Sequence, residues 1–427
     1  MVRNGECLHS VQVHGLCAHC GQEVSKKGAP LFVALHNNTG VLFSVEEAER
    51  HNEASYARLT GEKRMILLLD LDQTIIHTSI LKRFSKYYEE LVSQPPIRET
   101  REERAIREVK EISIDGFKYY VKLRDGLECF LARANEYFEI HVYTMGNRPY
   151  GEAIARIIDP ERKYFGTRIV TRDDNLGCFE KDLKRLFPTN SKNVVILDDR
   201  PDVWGFCSNL FPVRPYTFFK TGDINSPEVL RLKGGRREEE AGGPASENDG
   251  LVDQIVSECV ASLYDNELSK IMGHLLSIHQ IFFSRPFQTS ARAEAGVVSI
   301  LADMKSIFKG CIARVFSSSF DVEKFYLSLF EHYGGSADVY VSKRTTHVII
   351  SEGGTYIGPP PRKNIKYVNI NWVHESIFAL KRLNEENFTA SPDSCACDGG
   401  DSEESTFSHG SNDSLYEQIL HESIPEQ

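Results

Sequence analysis

One apolar run that ends in two acids constrains this 427-residue chain more than any other stretch. Met65 to Leu69 are five uninterrupted apolar residues, and Asp70 and Asp72 follow them directly. An unbroken run of this length is typical of a strand buried on both faces, as in a parallel sheet. Because side chains alternate along a strand, we expect both carboxylates to start on the same side. Two acids forced together there need compensation by a divalent metal, a shared proton or bulk water.

A second apolar run, Val194 to Leu197, ends in the same way, at Asp198 and Asp199. Strand-like and helix-like patterns alternate over residues 64–219, which predicts a doubly wound α/β domain with a parallel sheet. Parallel strands end at one edge of their sheet, so we expect the two acid pairs to converge in one crevice. A site built from oxygen ligands alone favours a hard cation, and Mg²⁺ suits one with few protein ligands.

These acids predict phosphate chemistry. One aspartate of such a site can attack phosphorus, and another can carry the proton to and from the leaving oxygen. Thr144 ends a neighbouring predicted strand, and Lys181 lies in a predicted helical segment. Their hydroxyl and ammonium groups are donors for phosphoryl oxygens. The competing interpretations are a strand-end turn residue for Thr144 and a solvated helix charge for Lys181.

The N-terminal segment contains a possible zinc site. Cys17 and Cys20 form a C-x-x-C pair followed by glycine, the turn expected of a zinc knuckle, and Cys7 and His9 precede it. His14 and His19 are competing candidates, and free thiols in a flexible terminus are the competing interpretation.

The remaining patterns predict a modular chain. Residues 82–112 are highly charged and interrupted by two prolines, which indicates a partly helical insertion. Leu251 to Phe283 have an amphipathic pattern that predicts one or two helices. The predicted divisions are an N-terminal segment at 1–60, a phosphatase-like α/β domain at 61–222, a linker at 223–250, a helical region at 251–290, a small α/β domain at 300–392 and an acidic disordered tail at 393–427.

Charge is distributed unevenly along the chain. The formal net charge is -11, and eleven Asp and Glu follow Arg382 with no Lys or Arg among them. We therefore expect no direct nucleic-acid binding, because the remainder is close to neutral. An amphipathic island at 414–423 within the acidic tail is typical of a segment that folds against a protein partner. No long apolar window predicts a membrane span, and ten scattered cysteines indicate reduced thiols inside the cell.

The ordered motifs resemble a known family. LLLDLDQTIIHT, KYYVKLRDGLECFL, HVYTMGNRPYGEAIARIIDP, KDLKRLFP and VVILDDRPDVW are similar to the haloacid-dehalogenase superfamily, and more closely to the phosphatases of the RNA polymerase II C-terminal domain. HYGG, TTHVII and INWVHESI resemble a BRCT domain. The resemblance implies a nuclear, Mg²⁺-dependent protein serine phosphatase that acts on the heptad repeats of the largest polymerase subunit. It also implies a contact between the acidic tail and general transcription factor IIF.

The resemblance further implies roles for individual residues. It makes Asp70 the nucleophile and Asp72 the general acid/base, with Thr144 and Lys181 on the phosphate. Mg²⁺ would be held by Asp70, Asp199 and the backbone carbonyl of Asp72. The residues with an implied supporting role are Thr74, Arg124, Arg172 and Asp198. The chain departs from the family at Arg124-Asp125-Gly126, where Arg-Pro-Gly is usual, so the stiffness of this turn is in question.

Two other functions stay open on the sequence. One is a small-molecule phosphatase of the same superfamily. The BRCT-like domain and the acidic tail argue against it, because an enzyme acting on metabolites would not need segments that recruit a protein substrate. The other is a non-catalytic phosphopeptide adaptor that works through the BRCT-like domain. The intact acid pairs argue against an adaptor alone.

Overall fold

The computed structural model describes residues 2–3, 6–24, 32–33, 41–80, 82–93, 100–175, 180–220, 259–351 and 353–391. The predicted linker at 223–250 and the acidic tail with its amphipathic island lie outside these residues. Within them, no helix has the length and apolar composition that a membrane crossing requires. The chain divides into two compact units, Met1–Thr78, Tyr88–Phe218 and Ser262–Leu301 in the first, and Ser79–Tyr87, Phe219–Ala261 and Ala302–Gln427 in the second.

The first unit begins with short strands and one long helix. Ser44 caps that helix by accepting a hydrogen bond from the Glu47 N–H at 3.3 Å. The elements are β1 (Val2–Arg3), β2 (Glu6–Cys7), β3 (Val11–Val13), β4 (Leu16–Cys17), β5 (Phe32–Val33), β6 (Val41–Phe43) and α1 (Val45–Gly61). Four of these strands form an antiparallel sheet in the order β4-β3-β6-β5.

The centre of the first unit is a five-stranded parallel sheet. Its strands and helices are β7 (Met65–Leu69), α4 (Leu127–Tyr137), β11 (Phe138–Tyr143), α5 (Arg148–Ile158), β12 (Ile169–Val170), α6 (Leu183–Leu186), β13 (Val194–Asp198) and β14 (Leu210–Pro212). The strand order is β12-β11-β7-β13-β14, so the two acid-bearing strands β7 and β13 are neighbours. All five residues of each are buried, which explains their unbroken apolar runs. The predicted α/β fold class is confirmed.

Between β7 and α4 the chain forms a second sheet and two helices. These elements are β8 (Ile76–Ser79), α2 (Lys82–Ser93), α3 (Arg101–Arg107), β9 (Lys110–Ile114) and β10 (Phe117–Leu123). The predicted insertion at 82–112 thus contains both helices and the start of β9. Asp115 and Gly116 have φ angles of 50° and 83° and connect β9 to β10 in register, as expected of a two-residue hairpin turn.

Of the predicted helical region, the structure describes residues 259–290, and these are largely helical from Glu267 onwards. Helix α7 (Glu267–Phe282) is followed by the short α8 (Arg285–Gln288) and by α9 (Val297–Lys305). Residues 261–266 are irregular, and in this segment the Asp265 carboxylate binds the Arg124 guanidinium at 3.0 and 2.9 Å. Helix α7 packs against α4, and its His279 ring lies 5.0 Å from that of Tyr137.

The C-terminal part of the second unit is a small α/β fold. Its elements are β15 (Ile312–Phe316), α10 (Phe320–His332), β16 (Ser336–Ala337), β17 (His347–Ile350), β18 (Lys366–Asn369) and α11 (Asn371–Phe378). All strand pairs are parallel, in the order β16-β15-β17-β18. Trp372 is fully buried and stacks on His347 with ring centroids 4.8 Å apart, so it belongs to the core as predicted.

Candidate active site

Three carboxylates meet at the carboxyl ends of the neighbouring strands β7 and β13. Asp70, Asp198 and Asp199 each offer an oxygen, and these oxygens all lie within 4.8 Å of one another. Parallel pairing of Leu69 with Leu197 brings the first acid of each pair to the same level of the sheet. All three side chains are buried. The convergence expected from the sequence is therefore what this register produces.

A single lysine lies between two of these acids. Lys181 Nζ donates to Asp70 Oδ1 at 2.5 Å and to Asp198 Oδ2 at 2.6 Å. The sequence pattern placed Lys181 in a helical segment, and this prediction is wrong. Helix α6 begins only at Leu183, after the N-cap Asp182, so Lys181 precedes it. Its backbone N–H instead donates to the Val203 carbonyl at 2.8 Å, which fixes the lysine in the crevice.

The buried charges do not balance. Burial raises the pKa of Asp70 well above its usual range, although Lys181 opposes that shift. Burial and then the neighbouring Asp198 raise the pKa of Asp199 to about 7. Burial by itself would lower the pKa of Lys181, but Asp198 and Asp70 outweigh it and hold the pKa above its ordinary value. Three carboxylates facing one ammonium leave excess negative charge, and this oxygen-only donor set fits a Mg²⁺ ion.

The two acids of the second pair are held differently. Asp198 accepts from Lys181, from Trp204 Nε1 at 2.8 Å and from the Arg200 N–H at 2.8 Å. Asp199 accepts one side-chain hydrogen bond from within the described part of the chain, from Thr74 Oγ1 at 3.0 Å. Asp198 is thus positioned to hold the lysine, whereas Asp199 keeps most of its oxygen lone pairs for a cation.

Thr74 and Arg124 connect the first acid pair to its surroundings. The Thr74 hydroxyl also accepts from the Asp199 N–H at 3.1 Å, so this side chain ties the β7 loop to β13. Arg124 is buried and donates to the Thr74 carbonyl at 2.8 Å as well as to Asp265. Gly126, two residues later, has a φ of 76° and is the N-cap of α4, so the turn forms without the proline usual at position 125. Arg124 braces the loop from behind.

Thr144 and Arg172 lie around the next loop of the crevice. Thr144 is buried just beyond β11, and its hydroxyl oxygen accepts from the Gly146 N–H at 3.0 Å. That hydrogen bond leaves the hydroxyl proton available for a phosphoryl oxygen. The Arg172 N–H donates to the Gly146 carbonyl at 3.0 Å, and the arginine is exposed. Arg172 is therefore at the rim of the site rather than in its floor.

Tyr150 is a site residue that the sequence reasoning missed. Its hydroxyl donates to Asp72 Oδ1 at 2.5 Å, and Thr78 Oγ1 lies 2.7 Å from the same hydroxyl. The ring packs closely against Gly146, where a Cβ atom would lie only 2.5 Å from Tyr150 Cδ1. One sequence feature could have revealed Tyr150. It lies in the first turn of the helix that follows the Thr144 strand, at the same sheet edge as the acids.

The four predicted zinc ligands also lie close together in space. They form a group separate from the three carboxylates. Cys7, His9, Cys17 and Cys20 each offer one ligand atom, and these atoms lie within 4.8 Å of one another. Neither His14 nor His19 belongs to this group in the part of the chain that the structure describes.

Comparison with known proteins relates the chain to one group of phosphatases. Residues 65–234 match the family model described as NLI interacting factor-like phosphatase. A protein of Encephalitozoon cuniculi described as an RNA polymerase II C-terminal domain phosphatase is 32% identical, over 89% of this chain and 94% of that protein. The Saccharomyces cerevisiae protein of the same description is 28% identical, over 91% of this chain and 66% of its own length.

Solved structures agree with the sequence comparison. The structure of Fcp1, described as an essential RNA polymerase II CTD phosphatase, superposes with a TM-score of 0.65 and 30% identity, covering 79% of this chain and 99% of that one. A fission yeast Fcp1 variant bound to beryllium fluoride superposes with a TM-score of 0.62 and 27% identity, covering 80% of this chain and 100% of that one.

Proposed function

Since this chain belongs to the family of RNA polymerase II C-terminal domain phosphatases, we propose that it hydrolyses phosphoserine in the heptad repeats of the polymerase tail through a phosphoaspartate on Asp70. It is a protein phosphatase. The observation that carries the proposal is the buried crevice where Asp70, Asp198 and Asp199 meet around Lys181. Bound Mg²⁺ would be held by Asp70, Asp199 and the Asp72 carbonyl, and would neutralise the carboxylates and the phosphoryl oxygens.

The first half of the reaction transfers the phosphoryl group to the enzyme. A carboxylate oxygen of Asp70 attacks phosphorus, and the bond between phosphorus and the serine oxygen breaks on the opposite side. Asp72 gives its proton to the departing serine oxygen. Lys181 Nζ, 2.5 Å from Asp70 Oδ1, is within reach of the transferred group and stabilises its negative oxygens, and Thr144 offers its hydroxyl proton to another.

The second half regenerates the enzyme. Asp72, now a carboxylate, takes a proton from a water molecule as the water oxygen attacks phosphorus. The bond between phosphorus and Asp70 breaks, and inorganic phosphate leaves with Asp70 and Asp72 in their starting forms. Beryllium fluoride mimics a phosphoryl group, so its presence on the similar fission yeast protein supports this route.

Substitution of the two acids tests the assigned roles. We expect Asp70→Asn and Asp72→Asn each to abolish phosphate release from a phosphoserine heptad peptide, while circular dichroism stays unchanged. Asp173→Asn is the control: it makes the same change of side chain at an exposed aspartate, and this variant should retain activity. Wild-type turnover by either Asp70→Asn or Asp72→Asn would contradict the assignment.

Metal removal tests the cation separately from the acids. We expect activity to vanish in EDTA and to return when Mg²⁺ is added in excess, because the acids alone repel an incoming phosphate. Undiminished hydrolysis in EDTA would disprove the metal assignment while leaving a phosphatase in place.

Substrate tests separate this function from its alternatives. A small-molecule phosphatase would hydrolyse metabolite phosphates with kcat/KM comparable to that for the heptad peptide. A non-catalytic adaptor would bind the phosphopeptide with no phosphate release. We expect instead a clear preference for the peptide and for intact phosphorylated polymerase.

The proposal extends to place and partner. Action on the transcription machinery is what the relatives' description implies, and we propose that the protein works in the nucleus. We also propose that the acidic segment after residue 391 binds general transcription factor IIF, whose surface would need a basic groove to receive it. Fluorescence microscopy of the tagged chain tests the first point. Binding of purified factor to the full chain, and its loss from a chain ending at residue 391, tests the second.

The N-terminal Cys/His cluster is proposed to hold structural Zn²⁺. This ion would take no part in the phosphoryl transfer, and its coordination follows from separate observations.

A further inference from the structure

From the geometry of the N-terminal hairpin we propose a closed zinc site of three thiolates and one imidazole. Its ligands are Cys7, His9, Cys17 and Cys20. The proposal does not depend on the proposed catalytic function, because these residues lie outside the carboxylate crevice and have no assigned step in phosphate hydrolysis.

The distances match those of a tetrahedral zinc site. Cys7 Sγ lies 3.6 Å from Cys17 Sγ, and Cys20 Sγ lies 3.4 Å from His9 Nδ1. With zinc–sulfur and zinc–nitrogen bonds of roughly 2.3 and 2.0 Å, tetrahedral geometry places its ligand atoms about 3.5–3.8 Å apart. Two opposite edges of such a tetrahedron are therefore close to their expected lengths, and all four ligand atoms lie within 4.8 Å of one another.

The backbone around the C-x-x-C pair has the conformation of a metal knuckle. Gly21 has a φ of 72°, and its N–H donates to the Cys17 carbonyl at 2.9 Å. The His19 N–H donates to Cys17 Sγ at 3.3 Å. An N–H directed at sulfur stabilises the thiolate that a metal requires and orients it. The chain is thus folded so that both sulfurs of the pair face the other two ligands.

The opposite arm of the site supplies a cysteine and the histidine. Cys7 ends β2, and His9 two residues later has a φ of 46°, a left-handed conformation that is uncommon outside glycine, asparagine, aspartate and histidine. This turn brings the His9 ring to Cys20. His14 lies at the tip of the hairpin between β3 and β4, and His19 contributes its backbone N–H to Cys17 Sγ. Neither ring belongs to the group of ligand atoms that lie within 4.8 Å of one another.

This part of the chain lacks an apolar core that could replace a metal. Among the described side chains of residues 7–24, the buried ones are Cys17 and the polar Ser10 and Gln12. The apolar Leu8 and Leu16 are 53% and 49% exposed. A segment of such small strands with its leucines in solvent gains little from hydrophobic burial and needs a staple such as a metal. Zinc binding would then supply the folding free energy of this segment.

The segment is connected to the start of the phosphatase sheet. The Ser44 N–H donates to the Ser10 carbonyl at 2.8 Å, and Ser44 is the N-cap of α1, which ends at Gly61 just before β7. The sheet around β7 has its own apolar core. We therefore expect zinc loss to release residues 7–24 and to leave the carboxylate crevice intact.

The test measures metal on the full-length chain and needs no activity. We expect about one zinc per chain by mass spectrometry of the metal, since four ligands close one tetrahedral site. Cobalt exchange should give visible bands of tetrahedral, thiolate-bound Co²⁺. Cys17→Ser and His9→Asn should lose the bound metal and these bands. Matched controls are His14→Asn, His19→Asn and the exposed Cys129→Ser, which should keep both.

Each opposing outcome is specific. If the intact mass of freshly purified protein showed a disulfide between Cys7 and Cys17, these two residues would form a covalent bond and not a zinc site. Metal retained by Cys17→Ser, or lost from His14→Asn, would overturn the ligand set. Hydrolysis of an aryl phosphate should persist in Cys17→Ser, so failure of the zinc proposal and failure of the catalytic proposal can be told apart.

Discussion

Tyr150 connects the acid/base carboxylate to the core of the sheet. Its hydroxyl donates to Asp72 and receives a hydrogen bond from the buried Thr78. A hydrogen bond donated to this carboxylate stabilises the charged form that acts as a base. The aromatic hydroxyl therefore positions Asp72 for both halves of the reaction without touching phosphorus.

Replacing this hydroxyl should affect difficult leaving groups most. For Tyr150→Phe we expect kcat/KM on a phosphoserine peptide to fall about 10- to 100-fold, because a serine oxygen must be protonated as it leaves. The loss on an aryl phosphate should be at least about tenfold smaller, since a phenolate departs without a proton. Steady-state kinetics on both substrates measures this ratio.

Tyr119→Phe is the matched control, because its ring lies 5.9 Å from that of Tyr150. It should change neither substrate's kcat/KM. Equal losses on both substrates for Tyr150→Phe would mean that Tyr150 serves the structure of the site rather than the proton transfer.

At the scale of elements, a buried ion pair joins the end of β10 to the start of α7. Arg124 is fully buried, and its guanidinium binds both carboxylate oxygens of Asp265. Asp265→Ala leaves this charge uncompensated, and we expect a loss of about 3–5 kcal/mol in the free energy of unfolding. Urea denaturation followed by far-ultraviolet circular dichroism measures the loss.

The exposed pair of Arg133 and Glu136 offers the comparison, because Glu136→Ala should cost less than about 1 kcal/mol. The double variant Arg124→Met with Asp265→Leu should be more stable than Asp265→Ala, since no unpaired charge remains. Greater stability of Asp265→Ala than of the double variant would show that Arg124 is not desolvated.

In the C-terminal unit, His332 at the end of α10 makes stability depend on pH. Burial, and then the ammonium of Lys305, lower the pKa of His332 to about 3. The unfolded chain takes up a proton near its usual pKa of about 6.5, whereas the folded chain does not until about pH 3. The free energy of unfolding therefore decreases as the pH falls from 6.5 towards 3.

His332→Gln removes the titration and keeps an acceptor for Lys305 Nζ, which lies 3.1 Å from His332 Nε2. Hydrogen exchange of α10 should show wild-type stability falling by about 1–2 kcal/mol more than that of the variant between pH 7.5 and 5. A parallel pH dependence of the two proteins would rule out His332 as the source.

At the scale of the whole molecule, two units share one chain. The three carboxylates of the crevice belong to the first unit, whereas the small α/β fold belongs to the second. If the small α/β fold and the residues after it serve recruitment, their removal should leave the chemistry and weaken encounter with a large substrate, because tethering raises the effective concentration of the catalytic unit.

A chain that ends after Lys305, the last residue of α9, tests this division. We expect turnover of an aryl phosphate to stay within about threefold of wild type and turnover of phosphorylated polymerase to fall at least about tenfold, by loss of effective concentration. Equal losses on both substrates would show that the second unit supports the fold of the first.

The amino-acid sequence by itself determined the strands, the acid pairs and the edge at which they meet. Apolar runs buried on both faces and the period of strands and helices are local properties, so β7, β13 and the position of Asp70 and Asp199 could be read directly. The Cys/His spacing was equally readable, since a C-x-x-C turn is formed by four consecutive residues.

Only the tertiary structure decided which distant side chains meet. Tyr150 reaches Asp72 across 78 positions of sequence, and Arg124 reaches Asp265 across 141. The choice of His9 over His14 and His19 depended on which ring the fold brings to the cysteine sulfurs, and Lys181 proved to precede its helix rather than belong to it. Such contacts depend on strand order and on loop geometry, neither of which is encoded in a local pattern. The acid pairs, Thr144 and Lys181 could thus be proposed from the residues alone, while the contact of Tyr150 with Asp72 could be identified only from the fold.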